Sequence, residues 1–356
     1  MPTASPKHRE VESVLRREIE EGVWLPGERI PAEHELSSRF GVAYMTARQA
    51  VGTLVSDRLL QRIPGKGTFV LAWEESESSL RTVSPLVLLV PALWQRLDPY
   101  YFPEVLAGFE AQMERAGHKA TIQDYVAAEQ GGHLSPDTVV ACLLIGKEET
   151  ELIERVRDRG CRVLAINRYL GRRSIPSVAP DNAGGVAEAV RHLAALGHTR
   201  IGFVRGVPGN LDAAERRRGF RTEMRLQNLS SDCEAGDGFR EVCGYRAAQD
   251  LLNRPDRPTA LVCASDLAAM GVIKAAQEKE LTIPGDLSVV GFGDFSVAAY
   301  LHPGLTTICL PRWELGQAAA RALILLASGQ EPKGEVIRTH LVERGTSAPP
   351  PGLLSD

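Results

Sequence analysis

RIPAEHELSSRFGVAYMTARQAVGTLVSDRLLQRIPGKGTFV, Arg29–Val70, is the stretch whose reading decides the fold. Val42, Ala47, Ala50, Val51, Leu54 and Val55 recur at helical spacing, which predicts a helix over Tyr44–Asp57 with one buried side. The opposite side then presents Tyr44, Met45, Arg48, Gln49 and Gly52. A shorter helix is expected over Ala32–Phe40, with Leu36 and Phe40 pointing inward. Gly41 between them suits the left-handed cap that ends one helix and turns sharply into the next. After the second helix, Leu59–Ile63 and Thr68–Leu71 are β-prone runs around Pro64-Gly65-Lys66-Gly67, a small hairpin with a lysine at its tip.

Helix, glycine turn, helix and hairpin in this order form a winged helix-turn-helix, and its chemistry suits double-stranded DNA. Such a helix fits the major groove, where Arg48 and Gln49 can make bidentate contacts to base edges. Lys66 at the hairpin tip can reach phosphates or the minor groove. The plainer alternative is a helical hairpin supported by a small sheet without any DNA role.

Outward from this stretch, 356 residues suffice for two or three domains. A hydrophobic content of 44% and a charged content of 24% are those of an ordinary globular protein. The longest apolar runs, Leu86–Val90 and Val139–Ile145, are far too short to cross a bilayer, so no membrane partner is expected. MPTASPKHREVES lacks the apolar core of a signal peptide, and a cytoplasmic protein is the expectation. The net charge is −4, but residues 29–70 hold six basic against three acidic residues, placing the positive charge on the proposed DNA face. Cys142, Cys161, Cys233, Cys243, Cys263 and Cys309 form no C-x-x-C pair, and reduced thiols are expected. His34-Glu35 begins like H-E-x-x-H, but Ser38 ends the match, so no metal and no cofactor is expected.

Ahead of the helix pair, Lys7–Gly22 carries Val11, Val14, Leu15 and Ile19 on one face. An amphipathic helix packing under the pair is expected there. The first seventy or so residues resemble the GntR family of regulators, through LPGERIPAEHELSSRFGV, TARQAVGTL and GKGTFV. The resemblance implies a DNA-contacting set of His34, Tyr44, Met45, Thr46, Arg48, Gln49, Gly65 and Lys66. Arg48 and Gly65 match the family's pattern. An arginine is usual where His34 and Tyr44 stand, and a small hydroxyl residue where Met45 stands, so a non-standard operator is expected. Residues 1–73 are read as this domain, and 74–84, acidic and serine-rich, as a linker.

From Pro85 short apolar runs alternate with amphipathic helices. The runs are Leu86–Val90, Val139–Ile145, Val163–Ile166, Ile201–Val204, Ala260–Cys263 and Ser288–Phe292. That alternation implies an α/β fold with parallel sheets covered on both faces, and ligands beyond the carboxyl ends of the strands. Asp124–Asp137, with Gly131, Gly132 and Pro136, interrupts the pattern as a shortened helix or loop.

This region resembles the effector domain of the LacI/GalR family, related to periplasmic sugar-binding proteins. The matching motifs are DNAGG at Asp181–Gly185, HLAALGHTRIGFVRG at His192–Gly206, ERRRGF at Glu215–Phe220 and CASDLAAMG at Cys263–Gly271. IPGDLSVVGFGD at Ile283–Asp294 and LTTICLPRWELGQAAA at Leu305–Ala320 complete the set. The resemblance implies an N-terminal winged helix-turn-helix plus a two-lobed periplasmic-binding-protein-like α/β domain over 85–350. Lobe 1 would hold about 85–180 and 313–328. Lobe 2 would hold about 181–306 and 336–345, including a terminal strand near Val336–Gly345.

The same resemblance implies ligand-binding positions. Arg216 would offer its planar donor fork to sugar hydroxyls or carboxylates; the alternative is a solvated arginine. Tyr101, Phe102 and Phe239 would offer aromatic faces to a sugar ring, or pack between the lobes. Lys147, Asn167 and Arg168 follow strands at the cleft mouth, or are surface polar residues. Ser265 is implied as ligand-facing with Asp266 as the helix cap, while Asp181-Asn182 reads as a cap. Gly293 stands where the family commonly has a ligand-binding aspartate, with Asp294 matching the acid that follows, and Leu310 stands where a glutamine is usual.

Together these features suggest a repressor of the arabinose-repressor type, whose operator binding responds to a small molecule, a sugar or sugar derivative. Its partners would be operator DNA, that effector and a second copy in a homodimer. A rival enzymatic reading finds no phosphate loop, since Gly67 follows Lys66, and no G-x-G-x-x-G, since Ser296 replaces the last glycine after Gly291-Phe292-Gly293. No G-x-S-x-G elbow occurs either. A regulator answering a non-sugar effector, or none, is the remaining alternative.

Overall fold

A computed structural model of the chain describes residues 7–20, 23–24, 27–56, 59–63, 67–70, 84–91, 100–129, 134–146, 148–168 and 175–352. It divides into two compact units, Met1–Thr82 and Val83–Asp356.

In the first unit three helices, Lys7–Glu20, Glu33–Phe40 and Tyr44–Ser56, enclose one apolar core. Leu15, Leu36, Ala47, Ala50, Val51 and Leu54 are fully buried, so the period seen in the sequence is the packing period. Gly41 closes the second helix at φ 61° and ψ 36°, its N–H donating to the carbonyls of Ser37 and Ser38. A side chain there would meet no neighbour; the left-handed backbone is what favours glycine. Strands β1 (Leu60–Ile63) and β2 (Gly67–Val70) pair antiparallel, Leu60 opposite Val70 and Ile63 opposite Gly67. Backbone bonds from Ile30 to Thr68 and from Gly27 to Val70 lay the chain entry along the outer side of β2. The second helix is pinned to the first by Arg39, which donates to Glu18 while Trp24 Nε1 donates to the same carboxylate at 3.0 Å. The Arg39 hydrogen bond holds the Glu18 carboxyl below its usual range.

The second unit contains two six-stranded sheets. The first comprises β3 (Leu86–Val90), β4 (Thr121–Asp124), β5 (Val139–Leu143), β6 (Arg162–Ile166), β7 (Ser177–Pro180) and β13 (Glu335–Ile337), in the order β13-β7-β6-β5-β3-β4. Every pairing in it is parallel. The second comprises β8 (Ile201–Val204), β9 (Glu234–Ala235), β10 (Ala260–Cys263), β11 (Ser288–Gly293), β12 (Thr306–Cys309) and β14 (His340–Val342), in the order β14-β12-β11-β10-β8-β9. Only β14 runs antiparallel to its neighbour there. The central strands are buried along their whole length, as apolar runs covered on both faces must be.

One expectation needs correction. The terminal segment is not a single lobe 2 strand over Val336–Gly345. Residues 335–337 extend the first sheet beside β7, and residues 340–342 extend the second beside β12. Thr339, fully enclosed between them, donates to the Asp181 carbonyl at 2.9 Å and fixes this crossing. The irregular Asp124–Asp137 segment resolves into β4 and a short helix, Tyr125–Glu129, with residues 130–133 outside the described set.

Helix Arg312–Ala327 packs on the first sheet against helix Phe102–Arg115. Their approach is set by glycine. A Cβ on Gly316 would lie 2.0 Å from the Val105 carbonyl oxygen, and one on Gly108 2.2 Å from that of Trp313. The helix following β12 thereby returns to the first sheet, and the chain crosses between sheets just where the carboxyl ends of their strands meet.

Candidate effector site and DNA-reading face

Part of the second unit's candidate site is built from residues that leave strand ends. Asn167 follows β6, Leu144 follows β5, Ala264 and Ser265 follow β10, and Phe292-Gly293 closes β11. Tyr101 O–H donates to Asn167 Oδ1 at 2.6 Å. Asn167, buried and left-handed at φ 74°, donates from Nδ2 to the Leu144 carbonyl at 3.1 Å and to Asp212 Oδ2 at 2.8 Å. Asn182 Nδ2 donates to the other oxygen of Asp212 at 2.9 Å, and its own Oδ1 accepts from Arg216 Nε at 2.8 Å. Arg216 Nη1 donates to the Ala264 carbonyl at 2.6 Å. The guanidinium lies 3.9 Å from the Phe292 ring centroid and 5.5 Å from that of Phe239.

This chain of hydrogen bonds crosses from the first sheet to the second, and Leu211 N–H reinforces it by donating to the Ile145 carbonyl at 3.0 Å. Asp212 is its centre. Burial pushes its carboxyl above the usual range, against the pull of Arg216 and of the two amide donors. Asp212 and Arg216 sit four residues apart on helix Leu211–Leu226 and so share one face. That spacing in NLDAAERRRGF was the available signal for Asp212, which sequence reasoning missed. Sequence reasoning reads Asn182 as part of a cap and does not single out Phe292.

The other implied ligand positions divide. Tyr101, Asn167, Arg216 and Phe239 come together, and the buried Arg216 is not the solvated arginine of the alternative reading. Phe102 instead belongs to the core of the first sheet, 4% exposed, its ring edge-on to Tyr101 at 5.2 Å. Arg168 is half-buried next to Asn167 in sequence, and Lys147 lies outside the described residues. Ser265, not Asp266, caps helix Asp266–Glu278: its Oγ accepts from Ala268 N–H and donates to the Phe239 carbonyl. The hydroxyl thus orients Phe239. Asp266, fully buried, accepts from Phe295 N–H at 2.7 Å and from Thr307 Oγ1, and burial raises its carboxyl to about 6. At the helix following β7, Asp181 is the cap, accepting from Gly184 N–H at 2.8 Å, which leaves Asn182 for the network.

Asp294 turns toward the C-terminal segment, pairing with Arg344 at 2.7 Å. Gly293 before it has φ 134°, and a Cβ there would meet the Phe295 ring at 2.9 Å. Phe295 stacks on Tyr100 at 4.9 Å between ring centroids. The buried Arg312 runs across this corner, donating to Glu104 at 2.6 Å and to the Gly293 carbonyl. Where the related family places an aspartate, this chain has packed an aromatic ring against an arginine.

In the first unit, Met45, Thr46, Arg48 and Gln49 line one side of a groove completed by Arg62 of β1. Tyr44 and Met45 are exposed at 46% and 66%, a large unburied surface for a helix's first turn. Tyr44 O–H donates to Glu33 Oε2 at 2.9 Å, and Arg62 Nη2 donates to Glu33 Oε1. His34 is exposed on the preceding helix. Gly65 and Lys66 lie outside the described residues. Sequence reasoning missed Arg62 and Glu33; no short-range pattern marks them, since Gln61 and Arg62 are consecutive and both exposed on β1.

Comparison with known proteins agrees with both halves. Residues 7–70 match the gntR family of bacterial regulatory proteins, and residues 190–347 match the periplasmic binding protein-like domain. The arabinose metabolism transcriptional repressor of Geobacillus stearothermophilus is 28% identical over 365 residues, spanning 96% of this chain and 98% of that protein. The HTH-type transcriptional regulator MalR of Streptomyces coelicolor is 36% identical over 207 residues, 56% of this chain and 60% of MalR. The crystal structure of a LacI family transcriptional regulator from Mycobacterium smegmatis aligns with a TM-score of 0.62 at 26% identity, covering 74% of this chain and 99% of that one. The chain is therefore a transcription regulator that joins a gntR-family winged helix-turn-helix to a periplasmic-binding-protein-like domain of the LacI type.

Proposed function

We propose that this regulator is a cytoplasmic homodimeric repressor whose operator binding is set by a sugar or sugar derivative held between the two sheets of its second unit. The observation that carries this reading is the polar chain Tyr101–Asn167–Asp212–Asn182–Arg216, backed by Phe239 and Phe292. Amides, a carboxylate and a guanidinium beside aromatic faces suit a ligand rich in hydroxyl groups over an apolar ring. The same groups now bond to one another across the sheets, so a ligand entering there exchanges protein–protein hydrogen bonds for its own. Any ligand that favours one spacing of the sheets over another shifts that equilibrium by its difference in affinity.

Pairing is supported by an apolar surface on the second unit. Val242, 50% exposed, lines a groove with Met270, Ile273 and Leu301, and Tyr300, next to Leu301 in sequence, is 87% exposed. A second copy covering it would hold two heads for a two-fold operator. A thermal-shift screen of the full chain against neutral sugars, sugar acids and nucleosides tests the effector reading, because selective binding to the folded state raises Tm. A hit that Arg216→Ala abolishes supports the site. A hit that Arg216→Ala leaves intact places the effector elsewhere. Sedimentation of the full chain as a monomer at micromolar concentration would refute the dimer.

A further inference from the structure

We propose that Arg62, on the first strand of the wing, contacts DNA and supplies the guanidinium that the related family carries at the position of Tyr44, with Glu33 as its positioning residue. The proposal rests on the DNA-binding reading and extends it to residues outside the helix-turn-helix motif. Arg62 borders the same groove as Met45, Thr46, Arg48 and Gln49, so its charge joins the face of helix Tyr44–Ser56 although it belongs to the hairpin. Its side chain is 42% exposed, while that of Glu33 is 18% exposed beneath it. Among the described residues its contacts run through Nη2 alone, to Glu33 Oε1 and, at 3.4 Å, to the Arg48 carbonyl. Nε and Nη1 form the remaining side of the donor fork, the geometry that grips a pair of oxygens.

Glu33 explains why the charge stays there. One of its oxygens takes Arg62 and the other takes the Tyr44 hydroxyl, so a single carboxylate fixes both side chains at the groove. A tyrosine brings no charge to DNA, and the recognition helix itself contributes only Arg48 to the electrostatic attraction. An arginine held in from the wing restores a second cation at that edge. The oxygen pair it meets is either a backbone phosphate or the O6/N7 edge of guanine.

The test uses fluorescence anisotropy of the full chain on two duplexes of equal length: one selected by the parent protein from a random pool, and one of random sequence. Arg62→Ala is expected to weaken binding to the selected duplex at least tenfold, with Arg62→Lys recovering part of the loss. A phosphate contact lowers the slope of log affinity against log salt by about 0.9. A base contact leaves that slope unchanged and relaxes sequence preference at one position. Glu33→Gln separates positioning from bulk charge: removing an acid near phosphates should tighten binding on charge alone, whereas loss of positioning weakens it severalfold. Arg62→Ala binding both duplexes as tightly as the parent, with an unchanged slope and Tm, overturns the DNA contact. Tighter binding by Glu33→Gln overturns the role of Glu33. If the parent selects no duplex at all, the DNA-binding reading falls with it.

Discussion

Restoring the aspartate that the LacI family commonly carries at position 293 should damage this protein. Gly293 sits at φ 134°, outside the range that side chains adopt readily, and its new Cβ would lie 2.9–3.2 Å from three atoms of the Phe295 ring. Holding a non-glycine residue in a sparsely populated backbone region costs about 1–3 kcal/mol. Forcing the Phe295 ring off its present packing adds about 1–3 kcal/mol, since it is pressed between Tyr100 and Arg312. Gly293→Asp, and Gly293→Ala as the version without charge, should therefore each lose about 2–6 kcal/mol, a large part of a typical domain stability of about 5–15 kcal/mol. Urea unfolding followed by circular dichroism measures the loss for the second unit. The cycle with Phe295→Ala divides it: the packing part should vanish in that background and the backbone part should persist. If Gly293→Ala stays within about 0.5 kcal/mol of the parent, the reasoning fails. The aspartate would then be missing for reasons of ligand preference alone.

Three further outcomes are expected. Ser265→Ala removes a helix cap and should cost about 0.5–2 kcal/mol; it should also weaken effector binding, because Phe239 loses the hydroxyl donor at its carbonyl. An effector affinity that is untouched would show that Phe239 needs no such orientation. Asp266 is raised from 3.8 to about 6, so the folded state binds its proton more tightly than the unfolded chain does. Its contribution is full below pH 3.8 and is lost as pH rises through about 6, a change of about 3 kcal/mol. Asp266→Asn should accordingly flatten the stability profile across that window, and an unchanged profile would remove Asp266 as its source. Arg48→Ala, exposed on the second helix of the pair, should weaken operator binding by about 1–3 kcal/mol and relax one base preference; equal affinity would show that this helix face does not read DNA.

Much of the architecture was legible because it depends on local periodicity. The buried face of Tyr44–Ser56, the left-handed Gly41 and the fully buried strands β3, β5 and β10 all announce themselves through spacing or unbroken apolar runs. The strands that went unnoticed are short or weakly apolar. Thr121–Asp124 is half-exposed at a sheet edge, Glu234–Ala235 is two residues long, and Ser177–Pro180 and Thr306–Cys309, though buried, are four-residue runs broken by serine, threonine or proline. Such strands exist because a neighbour offers hydrogen bonds, which their own residues do not reveal.

The site follows the same division. Arg216, Asn167, Tyr101 and Phe239 could be picked out one by one, from the motifs that carry the family resemblance. Asp212, which takes both Asn167 and Asn182, could not, because it reaches them only where the N-terminus of helix Leu211–Leu226 meets the loop after β5. Ser265 and Asp266 are adjacent and both suited to a cap; the choice between them falls to Ser265 because Phe295 and Thr307, some thirty and forty residues on, claim the carboxylate. Arg62 is held at the groove beside Tyr44–Ser56 by Glu33, twenty-nine residues earlier in the chain. By itself the sequence determined which segments form helices and buried strands, since burial periodicity and turn chemistry act over a few neighbouring residues. Tertiary structure alone decided which polar groups meet, because a buried carboxylate takes whichever donors the fold brings within about 3 Å, however distant they are along the chain.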